Sequence, residues 1–169
     1  MLFLSFTLFA TFAIAIPHPL QVRAGGPIAK PIPSNCTITN PLLCTSAAYC
    51  PPISYKPFRP TTATLASGGP LVYAYYLQPE HITSSTADQL FQKCIETCYG
   101  YGTTGSCKSV YQAYNYPAPP MYGGAGGNPT TACLLFNRAV TVADFEVVPE
   151  SESGKWTASR AGSVSCPAV

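Results

Sequence analysis

Charge is the first thing this chain lacks. Only 9% of its 169 residues are Asp, Glu, Lys or Arg, against about 25% in an average domain. The formal net charge of +2 is too small to hold a polyanion, so nucleic acid is not an expected partner. Residues 1–79 contain no acidic residue at all, and Arg23, Lys30, Lys56 and Arg59 stand there uncompensated. A basic, proline-spaced stretch of this kind reads as a solvated arm. Histidine is nearly missing, with His18 and His81 alone, and no Cys-x-x-Cys spacing occurs. Zinc therefore lacks its usual ligand pattern, and no metal or other cofactor is expected. The Gly-x-Ser-x-Gly elbow of serine hydrolases is absent too. His81 with Ser84, Ser85 and Asp88 has the letters of a triad but reads as a cluster at a helix start. Asp144, Glu146, Glu150 and Glu152 are close enough in sequence to suggest paired acid–base carboxylates. They sit in a stretch with little sign of burial and read as a solvated loop. No catalytic residue is assigned, and no enzyme is expected.

What the chain does have begins with "MLFLSFTLFATFAIA", residues 1–15, which holds twelve apolar residues and no charge. It is too short for a membrane span of about 20 apolar residues, so no membrane association is expected. It ends in the small-x-small pattern Ala13-Ile14-Ala15 before Pro17, which reads as a secretory signal peptide; Val22-Arg23-Ala24 is the alternative cut. Eight cysteines follow, and an even number in an exported chain argues for four disulfides. Eighteen prolines and thirteen glycines imply many turns. Residues 16–34 read as an extended, mobile arm. Cys36, Cys44 and Cys50 then crowd together beside the sequon Asn35-Cys36-Thr37, a glycan acceptor pattern whose middle residue is itself a disulfide candidate.

The compact part starts with "LVYAYYLQ" (71–78), rich in strand formers. "SSTADQLFQKCIETCYG" follows, with a capping start at Ser85-x-x-Asp88 and a stop at Gly100. Ala87, Leu90, Phe91, Cys94 and Cys98 fall on one helical face. "KSVYQAYN", "CLLFNRAV" and "GSVSC" are further strands. The glycines of "CYGYGTTGSCKS" match Gly-x-Gly-x-x-Gly, yet they stand at a helix end, where carbonyls are exposed and the dipole repels phosphate. They read as a tight turn that brings Cys107 back to Cys98, not as a nucleotide loop.

The helix Cys94-x-x-x-Cys98, the Gly-rich turn to Cys107, the strand into Asn115 and then Cys133-Leu-Leu-Phe together resemble the PAN/apple domain. More narrowly, "CIETCYGYGTTGSCKSVYQAYN" with "ACLLFNRAVTVADFEVVPE" is similar to secreted, cysteine-rich fungal proteins that carry apple-like modules. The resemblance covers about residues 70–166. It implies an α+β fold, a small disulfide-rich module with one main helix packed on an antiparallel sheet. It also implies the pairs Cys94–Cys133 and Cys98–Cys107 and a terminal staple, given as Cys50–Cys166, with Cys36–Cys44 as the remaining pair. The loop between Cys107 and Cys133 is longer than in that family, and the Pro-rich arm is an addition. The expected organisation is a signal peptide (1–15), an arm with a cysteine cluster (16–69) and the apple-like domain (70–169).

By the same resemblance the chain is expected to be a secreted recognition module for an extracellular protein or glycan, acting at a host or fungal cell-wall surface. A structural wall protein is the alternative, and an enzyme with an unrecognised site is the third reading. Eleven tyrosines stand against one tryptophan, and tyrosine joins an apolar face to a hydroxyl at low entropic cost. Strand alternation along "VYQAYNY" places Tyr114 and Tyr116 on one side. Tyr101, Tyr116 and Tyr122 are the candidate exposed binding patch; the competing reading makes the tyrosines core and core cover.

Overall fold

Thr130–Phe136 is a run of seven consecutive buried residues, the pattern of a strand covered on both faces. It belongs to β5 (Pro129–Phe136), which lies between β4 (Ser109–Pro117) and β3 (Leu71–Leu77). On its other side β4 pairs with β7 (Thr157–Ser165), and β7 with β1 (Thr37–Thr39). The sheet order is β1-β7-β4-β5-β3, antiparallel throughout. A second ribbon pairs β2 (Phe58–Pro60) with β6 (Phe145–Val147). The computed structural model describes residues 27–42, 56–120 and 125–167. The expected leader, Cys44, Cys50 and Tyr122 lie outside the described residues.

Alternation along β4 and β5 sends side chains to two cores. On one face Val110, Cys133 and Leu135 meet Cys94, Ile95 and Cys98 of helix α2 (Ala87–Gly100). On the other, Tyr111, Ala113, Ala132, Leu134 and Phe136 meet Phe58, Val140 and Phe145 under the β2–β6 ribbon. The chain is thus an α+β protein with one main helix on an antiparallel sheet. Helix α2 starts one residue later than the Ser85 cap suggests. Thr86 Oγ1 accepts from the Gln89 N–H at 3.2 Å, and the Thr86 N–H donates to Gln89 Oε1 at 2.8 Å. Gln89 is long enough to reach back to the cap, whereas the Asp88 carboxylate accepts from Arg160 at 2.6 Å. Beyond Gly100 the chain turns through Gly102 (φ 59°) and Gly105 (φ 85°) into Cys107, so the glycine motif sits at a helix C-terminus as a turn.

Cys94 is bonded to Cys133 and Cys98 to Cys107, with Cα separations of 5.8 and 5.2 Å. The outer pairing differs from expectation. Cys166 is joined to Cys36, not to Cys50, which also removes Cys36 from the expected pair with Cys44. The register explains this: Thr37 stands opposite Ser165, so the next residues outward, Cys36 and Cys166, face each other across the ladder. Their Cα separation of 4.2 Å is that of a close antiparallel pair.

The N-terminal segment is also more integrated than a division at residue 70 allows. β1 completes the sheet, Phe58 and Thr64 are buried, and a short helix α1 (Thr62–Leu65) packs Leu65 on the core. Part of the arm expected to be mobile is docked. The Lys30 N–H donates to the Glu96 carbonyl of α2 at 3.0 Å, and Ile32 packs against the helix-side core. Gly100 permits this approach: a Cβ there would collide with the Ile28 carbonyl oxygen.

Loop length ranks the staples, since a longer closed loop removes more unfolded-state entropy. The Cys36–Cys166, Cys94–Cys133 and Cys98–Cys107 pairs span 130, 39 and 9 residues. Double serine replacement is expected to cost about 5, 4 and 3 kcal/mol respectively, read by denaturant unfolding under non-reducing conditions. Losing the outer pair should therefore damage the fold at least as much as losing a helical one. A negligible loss for the outer pair would mean that the sheet end holds itself together without it.

Candidate ligand cleft

The far face of the sheet ends in a cleft of about 390 Å³ lined by Arg59, Pro60, Leu65, Tyr116, Glu146 and Trp156, among others. Its size lies in the lower part of the range of small-molecule sites, about 300–1,000 Å³. β2 brings Arg59 and Pro60, α1 brings Leu65, β6 brings Glu146, and Trp156 stands just before β7. Tyr116 of β4 forms the floor, with its ring 5.7 Å from Tyr76 and edge-on to Trp156 at 6.1 Å.

Arg59 organises the wall. Its Nε donates to Glu146 at 2.7 Å and its NH1 to Glu152 at 2.6 Å, while its guanidinium carbon lies 4.8 Å from the Trp156 ring centre. Lys155 donates to the other oxygen of Glu152 at 3.0 Å, with its Nζ 5.8 Å from the same ring. The hydrogen bond with Glu146 holds the Arg59 pKa above its ordinary value. The hydrogen bond from Lys155, with Arg59 adding to it, holds the Glu152 carboxyl below its own. Burial raises the Tyr116 phenol and pushes Tyr76 up to about 12. The cleft lining itself thus carries one cation, Arg59, one carboxylate, Glu146, and the Tyr116 phenol, and the Glu152–Lys155 pair beside Arg59 adds one charge of each sign.

Trp156 is held by strain. Its φ of +51° is left-handed, as are those of Asn115 (51°) and Ala158 (47°) on the paired strands. For asparagine this conformation is common, but for a bulky residue it is a genuine outlier, costing about 1–3 kcal/mol. The Trp156 N–H donates to the Asn115 carbonyl at 3.4 Å, and Asn115 Nδ2 donates to Thr157 Oγ1 at 3.2 Å. Register shifts between Ala113 and Tyr116 against β5, and between Gln112 and Tyr114 against β7, mark the bulge.

That bulge overturns two expectations. Simple alternation would put Tyr114 and Tyr116 on one side. Instead the extra residue turns Tyr116 into the far-face core with Tyr111 and Ala113, while Tyr114 stands near Asp88 and Arg160, at the α2 side. Tyr101 and Tyr116 therefore form no common patch. Tyr116 is only 8% exposed, and Tyr101 belongs to the helix-side cluster, where its hydroxyl donates to the Val72 carbonyl at 3.1 Å and its ring lies beside Tyr73. Arg59 and Trp156 escaped the sequence reading, the first counted with a basic arm and the second lost among small polar residues. The one available signal was that Trp156 is the sole tryptophan.

The carboxylates read as a solvated loop also divide. Glu146 and Glu152 serve Arg59, but Asp144 is buried. It accepts from Arg138 NH2 at 2.5 Å and NH1 at 2.9 Å, from the Thr141 N–H at 2.8 Å, and from Thr64 Oγ1 at 3.3 Å. Its carbonyl accepts from the Thr61 N–H at 2.9 Å. Asp144 thereby ties α1, one wall of the cleft, to the segment entering β6. His81 lies exposed in a short turn, and the Asp88 partner it would need is engaged by Arg160. Among the described residues no group of three His, Cys, Asp or Glu could hold a metal ion, and no helix is long and apolar enough to cross a membrane.

Compared with protein-family models, curated proteins and solved structures, the chain finds no match in any of the three.

The Arg138 hydrogen bonds, with those from Thr141, lower the Asp144 pKa from 3.8 to about 2. A carboxylate more acidic in the folded state stabilises the fold above its unfolded pKa and ceases to do so as pH falls through its folded value. Stability should therefore drop by about 2 kcal/mol between roughly pH 4 and pH 2. Asp144→Asn should remove that contribution from the acid limb while lowering stability at neutral pH. Urea midpoints across this range test it, and an unchanged acid limb in the variant would assign the pH response elsewhere.

Proposed function

We propose that the chain is an exported, non-enzymatic recognition module whose Arg59–Trp156 cleft binds a neutral carbohydrate. The single observation that carries this reading is a strained tryptophan set beneath a guanidinium in a concave, charge-balanced cleft. Strain persists only where surrounding structure over-determines it, and it concentrates at ligand sites. A sugar offers weakly apolar C–H faces and hydroxyls that both donate and accept. Trp156, Pro60 and Leu65 provide apolar surface for the first. Arg59 and Glu146 provide donors and acceptors for the second, held in position by one another and, for Arg59, by Glu152. A polyanion or polycation finds no complementary field there. The disulfides fit an oxidising compartment, and the sequence resemblance to apple-like modules is what implies a binding role.

Because Trp156 is the only tryptophan, intrinsic fluorescence reports this cleft directly. Titration with neutral gluco-, manno-, xylo- and chito-oligosaccharides should give a saturable change for at least one series. Arg59→Ala should weaken binding roughly tenfold or more, about 1.4 kcal/mol, and Trp156→Ala should abolish it by calorimetry with circular dichroism unchanged. A fluorescence response to none of the four series, or full affinity in Trp156→Ala, would overturn the reading.

A further inference from the structure

Asn35-Cys36-Thr37 is the one Asn-x-Ser/Thr sequon in the chain with no proline at its centre. Asn35 lies exposed in a turn just before β1, where the Cys36 N–H donates to the Pro33 carbonyl at 3.0 Å. A cysteine at the middle of a sequon obstructs glycan transfer once a disulfide has fixed it, so the order of two events decides occupancy. The structure supplies that order, because the partner of Cys36 is Cys166, 130 residues further on. At synthesis rates of roughly 5–20 residues per second, Cys166 emerges on the order of ten seconds after the sequon. A pairing with the nearby Cys44 would have allowed closure almost at once.

We infer that Asn35 is an N-glycosylation site, filled as the chain enters the secretory pathway and before Cys36 closes on Cys166. The inference rests on the reading of the chain as exported. The donor is a lipid-pyrophosphate-linked oligosaccharide. The Asn35 side-chain nitrogen attacks its anomeric carbon and gives up a proton to a base of the transferase. The new C–N bond forms as the bond from that carbon to the pyrophosphate oxygen breaks, and the lipid pyrophosphate leaves. The folded chain is a poor acceptor for this step. Thr37, whose hydroxyl completes the sequon, is then paired in the ladder opposite Ser165, with its Oγ1 donating to the Ser165 carbonyl at 3.4 Å.

The folded structure accommodates the product. Among the described residues β1 is the edge of its sheet, and Ile38 beside the sequon is 43% exposed. An open edge strand with apolar surface is a template for association. A glycan on the exposed Asn35 projects into solvent beside that edge and shields it sterically.

The test is translation of the full chain with microsomes, reading import by protease protection and the glycan by loss of mass on peptide N-glycosidase treatment. The imported chain should lose mass, Asn35→Gln and Thr37→Ala should not, and Cys166→Ser should reach the same occupancy as the parent. An imported parent without glycan overturns the proposal. If Cys166→Ser alone is modified, the disulfide wins the race and the proposed order is wrong. Failure of import in every variant instead sinks the export reading, and this site with it.

Discussion

The structure depends on helix α2 being fixed to the sheet at two points one turn apart. Cys94 is tied to Cys133 in the middle of β5, and Cys98 to Cys107 at the approach to β4. Two attachments along one helix face set both its position and its direction, which a single bond would leave free to swing. The helix-side core then closes around these sulfurs, with Ile95, Val110 and Leu135 filling the space between them. With one face sealed, β4 and β5 are free to direct their alternate residues into a second core on the other side. A chain with so few charges relies on this burial rather than on ion pairs for its stability.

That second core determines where the cleft opens. The β2–β6 ribbon covers Tyr111, Phe136 and Val140, and the Tyr111 hydroxyl donates to the Phe58 carbonyl at 2.6 Å. Phe58, Tyr111 and Phe145 form a three-ring cluster with centroids 5.3–5.7 Å apart, geometry favoured by aromatic quadrupoles. Arg59 is the residue next to Phe58 in a strand, so anchoring Phe58 inward turns Arg59 away from the cluster. The ribbon is thus a core lid on one side and a cleft wall on the other. At the opposite wall, the left-handed turn of Asn115 and Trp156 shifts β4 by one residue and brings Tyr116 beneath the tryptophan.

The strands at 71–77 and 109–117, helix α2 and its inward cysteines are legible in the sequence because each rests on local periodicity or capping. The glycine turn is legible for a similar reason: its place after a helix excludes a phosphate loop on dipole grounds alone. What is not legible depends on register. The pairing of Thr37 with Ser165 joins distant segments, and with it goes the Cys36–Cys166 bond. The inward turn of Tyr116 depends on a bulge that asparagine permits but does not announce. Arg59 and Glu146 are unremarkable surface letters until β2 and β6 bring them opposite one another. Asp144 looks like its acidic neighbours until Arg138 and Thr141 enclose it.

Scarcity of charge gives the surviving ion pairs their meaning. Exposed salt bridges contribute about 0–1 kcal/mol each, so the pairs of Arg59 and Lys155 with Glu146 and Glu152 are weak sources of stability. They are effective as positioning devices. Arg59 joins β2 to β6 and to the turn that leads to Trp156, and it does so from within the cleft. A wholly apolar clamp would hold the same segments at least as firmly. An uncompensated arginine would instead favour anions. The paired arrangement keeps hydrogen-bonding groups on display in fixed directions, cancels their long-range field and leaves the indole partly accessible. Those properties are of little use to a core, and the proposal of a neutral-carbohydrate site rests on them.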